Sequence, residues 1–358
     1  MPTPTIPPAT IDMHAHAITD AAFKALAQET PSIRLKLTDI DDQSMILEIG
    51  GVVQNPFPRS ALDLAMRFRD LDAAGIDLQV ISPSPHFFLY DEDPAVTAAA
   101  AAIVNDELIG LSSSHPERFL TLGTLPLQDA GLAVRELQRI MQLPMVRGAI
   151  IGTNVKGNNL DDPSLETLWE AAEDIGAFIL VHPHKIAGAD RMKNYYLKNV
   201  VGNPLETTIA AGCLLYSGVF DRYPKLKICL SHGGGFLPYQ AGRFRHGWSV
   251  RPQDRGAAHA GLDAGLDRFL YDTILHDAGT LEFLLDQAGP ERVMMGSDYP
   301  FDMGTLDGVR LVRGLDVADP VKGAVLRDTA NRLLAKKIWS GGATDRSAAG
   351  HVLENRHG

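Results

Sequence analysis

Thr10-Ile11-Asp12-Met13-His14-Ala15-His16 sets two histidines two residues apart at the end of an apolar run. A β-strand repeats every two residues, so both imidazoles project to the same face. Two imidazoles side by side at the C-terminal end of a strand can serve one divalent metal ion. Taken alone, the pair fits ordinary strand histidines, solvent-facing or in a core, equally well. The rest of the chain has to decide.

Seven more short apolar runs follow, at 78–84, 119–126, 146–153, 178–183, 226–233, 269–274 and 293–298. They are nearly continuous in hydrophobic residues, as parallel strands covered on both faces must be. Helical periodicity fills the intervals at 60–74, 95–113, 130–142, 165–175 and 280–288. Eight strands alternating with helices predict an α/β fold, a (β/α)8 TIM barrel, with a doubly wound open sheet as the alternative. Residues 20–58 form an insertion after the first strand. There, β-like runs at 32–37 and 44–49 flank Asp39-Ile-Asp-Asp42, and they read as a small β-hairpin cap over the barrel mouth. We expect one barrel domain over 1–340 and a mobile tail at 341–358, where Gly, Ala and charge replace periodicity.

In a barrel of this kind the C-terminal strand ends form the active face. Five of the 12 histidines end predicted strands: His14 and His16 on the first, His182 and His184 on the fifth, His232 on the sixth. The eighth ends in Asp298. Three imidazoles (His14, His16, His182) and the Asp298 carboxylate make a shell for zinc, manganese or iron that leaves a position for water. His232 is then free to act as base or acid, and the following Gly233-Gly234-Gly235 would let a ligand approach the backbone. The competing readings are a structural role for His232 and a helix N-cap for Asp298. The fourth strand ends without a lysine to bridge two metals, and Lys156 falls beyond it, so one metal is expected. Lys185 fits an anionic substrate or a solvated loop, and His86, Tyr90 and His276 fit a pocket lining or loop caps.

Composition narrows the partners. A chain of 358 residues with 45% hydrophobic residues can bury a large core. The net charge of −11, with no basic stripe, excludes nucleic acid. No uninterrupted apolar run reaches the roughly 18 residues of a membrane span, and the start lacks the features of a secretion signal. With only Cys213 and Cys229, no disulfide framework is implied, and a cytoplasmic setting is expected.

Taken together, these residues resemble the amidohydrolase superfamily, and more narrowly the branch containing aminocarboxymuconate-semialdehyde decarboxylase. The resemblance runs through Ile11–His16, Thr121-Leu-Gly-Thr-Leu-Pro126, Gly202-Asn-Pro-Leu-Glu-Thr-Thr-Ile209, His232-Gly-Gly-Gly235, Gly242-Arg243 and Gly296-Ser-Asp-Tyr-Pro-Phe301, covering residues 10–335. It implies that His14, His16, His182 and Asp298 hold one divalent metal, zinc with manganese as the alternative. It implies that His232 handles protons beside that metal, and that Arg243 reaches across a homodimer interface to a substrate carboxylate. A guanidinium offers a carboxylate a bidentate fork, although Arg243 also fits a helix surface. Where the family has two tryptophans this chain has His184 and Asn199, and those two, with Arg243 and Phe301, are the expected substrate contacts. A family arginine from the first insertion falls near Asn55, with Arg59 the nearest candidate. The expected activity is a metal-dependent, non-oxidative decarboxylation of a small unsaturated or aromatic carboxylic acid, with catalysis by His232 and Asp298. A hydrolase or hydratase acting on a C–C, lactone or amide bond through the same activated water is the alternative.

Overall fold

The computed structural model describes residues 8–334, so the expected tail lies outside the described residues. All eight predicted strands are present: β1 Ile11–His16, β2 Leu78–Ser82, β3 Phe119–Thr124, β4 Val146–Gly152, β5 Phe178–His182, β6 Lys227–Leu230, β7 Leu270–Asp272 and β8 Val293–Met294. They form one sheet in chain order, each parallel to its neighbours. The segment after β8 lies along β1: Met13 N donates to Met295 O (2.9 Å), Asp298 N to His14 O (2.8 Å) and His16 N to Tyr299 O (2.7 Å). These bonds close the sheet into a barrel and exclude the doubly wound alternative, whose first strand would lie inside an open sheet.

Side chains buried on both faces explain the unbroken apolar runs; every residue of β1, β2, β3, β4 and β5 is buried. Four of the wall helices start on aspartate caps. Asp63, Asp93, Asp129 and Asp277 each accept a backbone N–H from the first turn of the helix that follows. One of these helices, Pro94–Ser114, is long and apolar enough by length and composition to cross a membrane. In this fold it packs on β3, where Asn105 exchanges hydrogen bonds with Thr124 (3.0 and 2.8 Å).

The insertion contains the expected hairpin, Lys36–Asp39 antiparallel to Ser44–Ile49, and adds to it. It contains a helix, Asp20–Glu29, and a three-stranded antiparallel sheet of Lys36–Asp39, Ser44–Ile49 and Val52–Pro58. The middle strand turns Met45, Leu47 and Ile49 inward onto the core. Gly50 and Gly51 (φ 55° and 79°) make the tight turn into the third strand. Pro56 and Pro58 obscure that strand in the sequence, and it tolerates them because it is an edge strand.

Candidate metal centre

The strand ends converge as predicted. His14 Nε2 lies 3.3 Å from His16 Nε2. The Asp298 Oδ1 oxygen faces three ring nitrogens: His16 Nε2 at 3.0 Å, His14 Nε2 at 3.5 Å and His182 Nε2 at 4.0 Å. Four donors about 2.05 Å from a common centre lie about 3.3 Å apart at tetrahedral angles, so these separations suit one small cation. His232 is set apart by its partner, because its Nε2 faces the other carboxylate oxygen, Asp298 Oδ2, at 3.3 Å. Ligand atoms of His14, His182, His232 and Asp298 all lie within 4.8 Å of one another, the one such group among the described residues.

The far side of each ring fixes which nitrogen points inward. His14 Nδ1 donates to Asp272 Oδ2 (2.7 Å), His16 Nδ1 to the Pro83 carbonyl (3.1 Å) and His182 Nδ1 to the Pro183 carbonyl (3.2 Å). Each Nε2 is thereby left as a lone-pair donor. His182 Nε2 is fully buried and has no hydrogen-bond partner among the described residues. A buried polar atom in that state is costly unless something binds it, and a cation among these nitrogens fits.

Electrostatics favour the neutral imidazole at His182 and His16, whereas at His14 burial is outweighed by the hydrogen bond to Asp272 and the charges of Asp298, Asp272 and Asp12, which raise its pKa. Burial, followed by the neighbouring His232, His16 and His14, drives the His182 pKa well below its usual value. Burial also lowers that of His16. Burial pushes the Asp298 carboxyl up, but its contacts with His16 and His232 and the nearby His14 overturn this and hold it well below the usual range. Both His232 and Asp298 sit at positive φ (54° and 55°), which turns them off their strands. Left-handed backbone at non-glycine residues costs energy and concentrates at functional sites.

The surrounding residues divide. Phe301 is brought in: its ring is 5.4 Å from His16, 5.9 Å from His86 and 6.2 Å from the cap's Phe57. His86 therefore packs beside Phe301, and burial, with His16 and His184 nearby, lowers its pKa to about 4. His184 packs edge-on against Tyr90 and Phe88, and burial lowers it to about 4 as well. Asn199 donates to the Tyr196 hydroxyl (3.3 Å), which donates to Asp302 (3.0 Å). Arg243 is exposed on the helix Leu237–Val250 and makes no ion pair among the described residues.

Other residues go elsewhere. Lys185 pairs with Asp91, Arg59 binds the cap's Asp39 (2.5 Å), and Asn55, His276 and Lys156 are exposed. The glycines after His232 serve the chain's own packing, since a Cβ on Gly233 would come within 2.4 Å of Leu275 Cδ2 and one on Gly235 within 2.2 Å of Pro204 O. The residue that sequence reasoning missed is Asp272. It is completely buried at the end of β7, receiving His14 Nδ1, His232 N (2.9 Å) and Gly233 N (2.8 Å). A lone carboxylate inside the apolar run Phe269-Leu-Tyr-Asp-Thr-Ile274 was the available signal.

Comparison with known proteins adds the lineage. The family described as Amidohydrolase matches residues 11–336. The chain belongs to that family. Within it, the chain is 37% identical over 255 residues to a 2-amino-3-carboxymuconate-6-semialdehyde decarboxylase of Dictyostelium discoideum, covering 71% of each chain. Among solved structures this amidohydrolase is similar to Metarhizium anisopliae IDCase (26% identity, TM-score 0.77, 91% of this chain and 97% of that one). It shares its fold with a dihydroxybenzoic acid decarboxylase of Polaromonas sp. JS666, solved with manganese and 2-nitroresorcinol (22% identity, TM-score 0.74, 91% and 96% covered).

Proposed function

We propose that this amidohydrolase is a metal-dependent, non-oxidative decarboxylase of a small aromatic or unsaturated carboxylic acid. The observation that carries the reading is the split around Asp298: three imidazole nitrogens converge on Oδ1 while His232 engages Oδ2. In this reading His14, His16, His182 and Asp298 hold one divalent ion. The nitrogen-rich set suits zinc, and the manganese in the Polaromonas neighbour supports the alternative. Bound there, the ion supplies Lewis-acid polarisation of the substrate.

The chain's own residues do the rest. Decarboxylation breaks the bond between carbon and carboxylate and leaves the electron pair on carbon. A proton must reach that carbon as carbon dioxide departs, and the His232–Asp298 pair is placed to hold and pass it. Phe301, backed by the fully buried Phe57 of the cap, gives the substrate an apolar wall, and the burial of the site strengthens every charge interaction within it. Arg243, exposed and without an ion partner among the described residues, fits a carboxylate contact to the site of a second copy in a homodimer. The proposal includes a cytoplasmic setting, supported by the unpaired Cys213 and Cys229.

The test is release of carbon dioxide by metal-loaded protein from a panel of aromatic and muconate-type acids, run in oxygen-18 water. Carbon dioxide with an unlabelled organic product is expected. Stable label in the organic product without carbon dioxide would replace this reading with hydrolysis or hydration.

A further inference from the structure

The metal centre stands at the C-terminal ends of the strands, and a second concave surface lies at their N-terminal ends. Lys227 and Leu270 are the first residues of β6 and β7, and Arg292 immediately precedes β8. With Lys225, Arg268 and Arg332 they line a cavity of about 480 Å³, a size usual for small-molecule sites. Its charge is one-sided. Five Lys and Arg side chains line it against two carboxylates, Asp267 and Glu291, in a chain whose net charge is −11.

The backbone positions these cations without neutralising them. Lys227 Nζ donates to the carbonyls of Leu333 (3.1 Å) and Gly176 (3.3 Å). Arg332 donates to the Glu291 carbonyl, and Arg292 to those of Ala288 (2.5 Å) and Leu266 (3.0 Å). Of the five, only Arg292 has an ion pair among the described residues, with Asp267 (3.1 Å). The Glu291 carboxylate lies over Gly289 instead, where a Cβ would come within 2.4 Å of Oε1. Burial, and then the like charge of Arg332, lowers the Lys227 pKa. Cations gathered in a concave surface concentrate the opposite charge there. The rest of the chain does not bring it, since residues 335–358 carry four Lys or Arg against two Asp or Glu.

We propose that this cavity binds a phosphorylated small molecule. A phosphate monoester brings close to two negative charges and three acceptor oxygens, and it meets guanidinium and ammonium donors that a monocarboxylate would leave unused. Leu226, Leu270 and Leu333 offer apolar surface to its organic part. The cavity shares no residue with the metal centre, so the assignment stands apart from the decarboxylase reading.

Calorimetric titration of the metal-loaded protein at fixed ionic strength tests it. The probes are adenosine 5′-monophosphate and glucose 6-phosphate, with adenosine and glucose as their uncharged counterparts. At least one ester is expected to bind about tenfold or more tightly than its counterpart. Lys225 and Arg268 are exposed, and their side chains make no hydrogen bond or ion pair among the described residues, so replacing them does not disturb the fold. Lys225→Ser with Arg268→Ser should weaken that ester about tenfold. Lys24→Ser with Arg135→Ser removes the same charge from exposed helix positions outside the cavity. That control should stay within about twofold of wild type, because charges away from the site are screened by salt. Esters that bind no better than their counterparts would overturn the assignment, and so would equal losses in the two double variants. Binding that vanishes when the metal is removed would place the ester at the metal centre and overturn it as well.

Discussion

Replacing Asp272 by asparagine distinguishes metal-ligating imidazoles from ordinary buried histidines. Asp272 Oδ2 accepts His14 Nδ1 (2.7 Å) and His232 N (2.9 Å), while Oδ1 accepts Gly233 N (2.8 Å) and Ile274 N (3.2 Å). Asparagine keeps the shape but turns one acceptor into a donor. If its carbonyl stays on the Gly233 side, the new NH2 points at His14 Nδ1. His14 can relieve that donor–donor clash only by moving its proton to Nε2, the nitrogen that faces Asp298 Oδ1 and must be bare to bind metal. Loss of such an outer hydrogen bond lowers metal affinity about 10–100-fold, or about 1.4–2.8 kcal/mol. The His232 N–H, left without its acceptor, costs a further 1–3 kcal/mol or so of stability. Chelator competition gives the affinity of the variant, and Asp12→Asn is the control. Asp12 is equally buried, but it binds Ser297, Gln79 and the His14 backbone and no ring nitrogen. The control should lose stability while staying within about threefold of wild-type metal affinity, a margin well inside the effect of a lost outer hydrogen bond. Asp272→Asn with reduced stability and unchanged metal affinity would refute the reasoning.

Three further outcomes follow from the same geometry. His232→Gln should retain its metal while carbon dioxide release falls by about 10²–10⁴-fold; metal analysis showing an empty site would instead make His232 a ligand. His86 and His184 are lowered from 6.5 to about 4 when folded, so the unfolded chain binds protons that the folded chain refuses. Their contribution is complete above pH 6.5 and is lost as pH falls towards 4, on the order of 2 kcal/mol per histidine between pH 7 and pH 5. Thermal melts of metal-free protein should show the decline, and His184→Phe with an unchanged pH slope would contradict it. Gly152→Ala drives a methyl into Tyr90 and His184 and should cost about 1–3 kcal/mol, raising KM more than it lowers kcat. Unchanged kinetics would place neither ring at the substrate.

The eight strands were legible because parallel strands leave unbroken apolar runs, and a histidine or aspartate at the end of such a run stands out. That signal placed His14, His16, His182, His232 and Asp298 together across 284 residues of chain. It passed over Asp272 because that carboxylate lies within the run, where a strand was already accounted for. Pairings between loops carry no local signal. Nothing near Lys185 points to Asp91, 94 residues away, and nothing near Arg59 points to Asp39. The prolines at 56 and 58 concealed the third cap strand, which carries Phe57 to the ring of Phe301.

His232 and Asp298 are the two site residues held at positive φ, and their supports interlock. Asp298 N donates to the carbonyl of His14, and His232 N donates to Asp272, the residue that also fixes the His14 ring. A left-handed residue costs about 1–3 kcal/mol, and it persists only where its surroundings over-determine it. Glycine would adopt the same turn without that cost, but it would remove the side chains that meet at 3.3 Å. One buried carboxylate thus sets the nitrogen offered to the metal and the backbone of the residue that handles the proton. The two functions cannot be varied independently through Asp272. With saturating metal restored, Asp272→Asn should therefore still turn over more slowly than wild type, because a displaced His232 no longer faces Asp298 Oδ2; full recovery of kcat would mean that the two supports are separable.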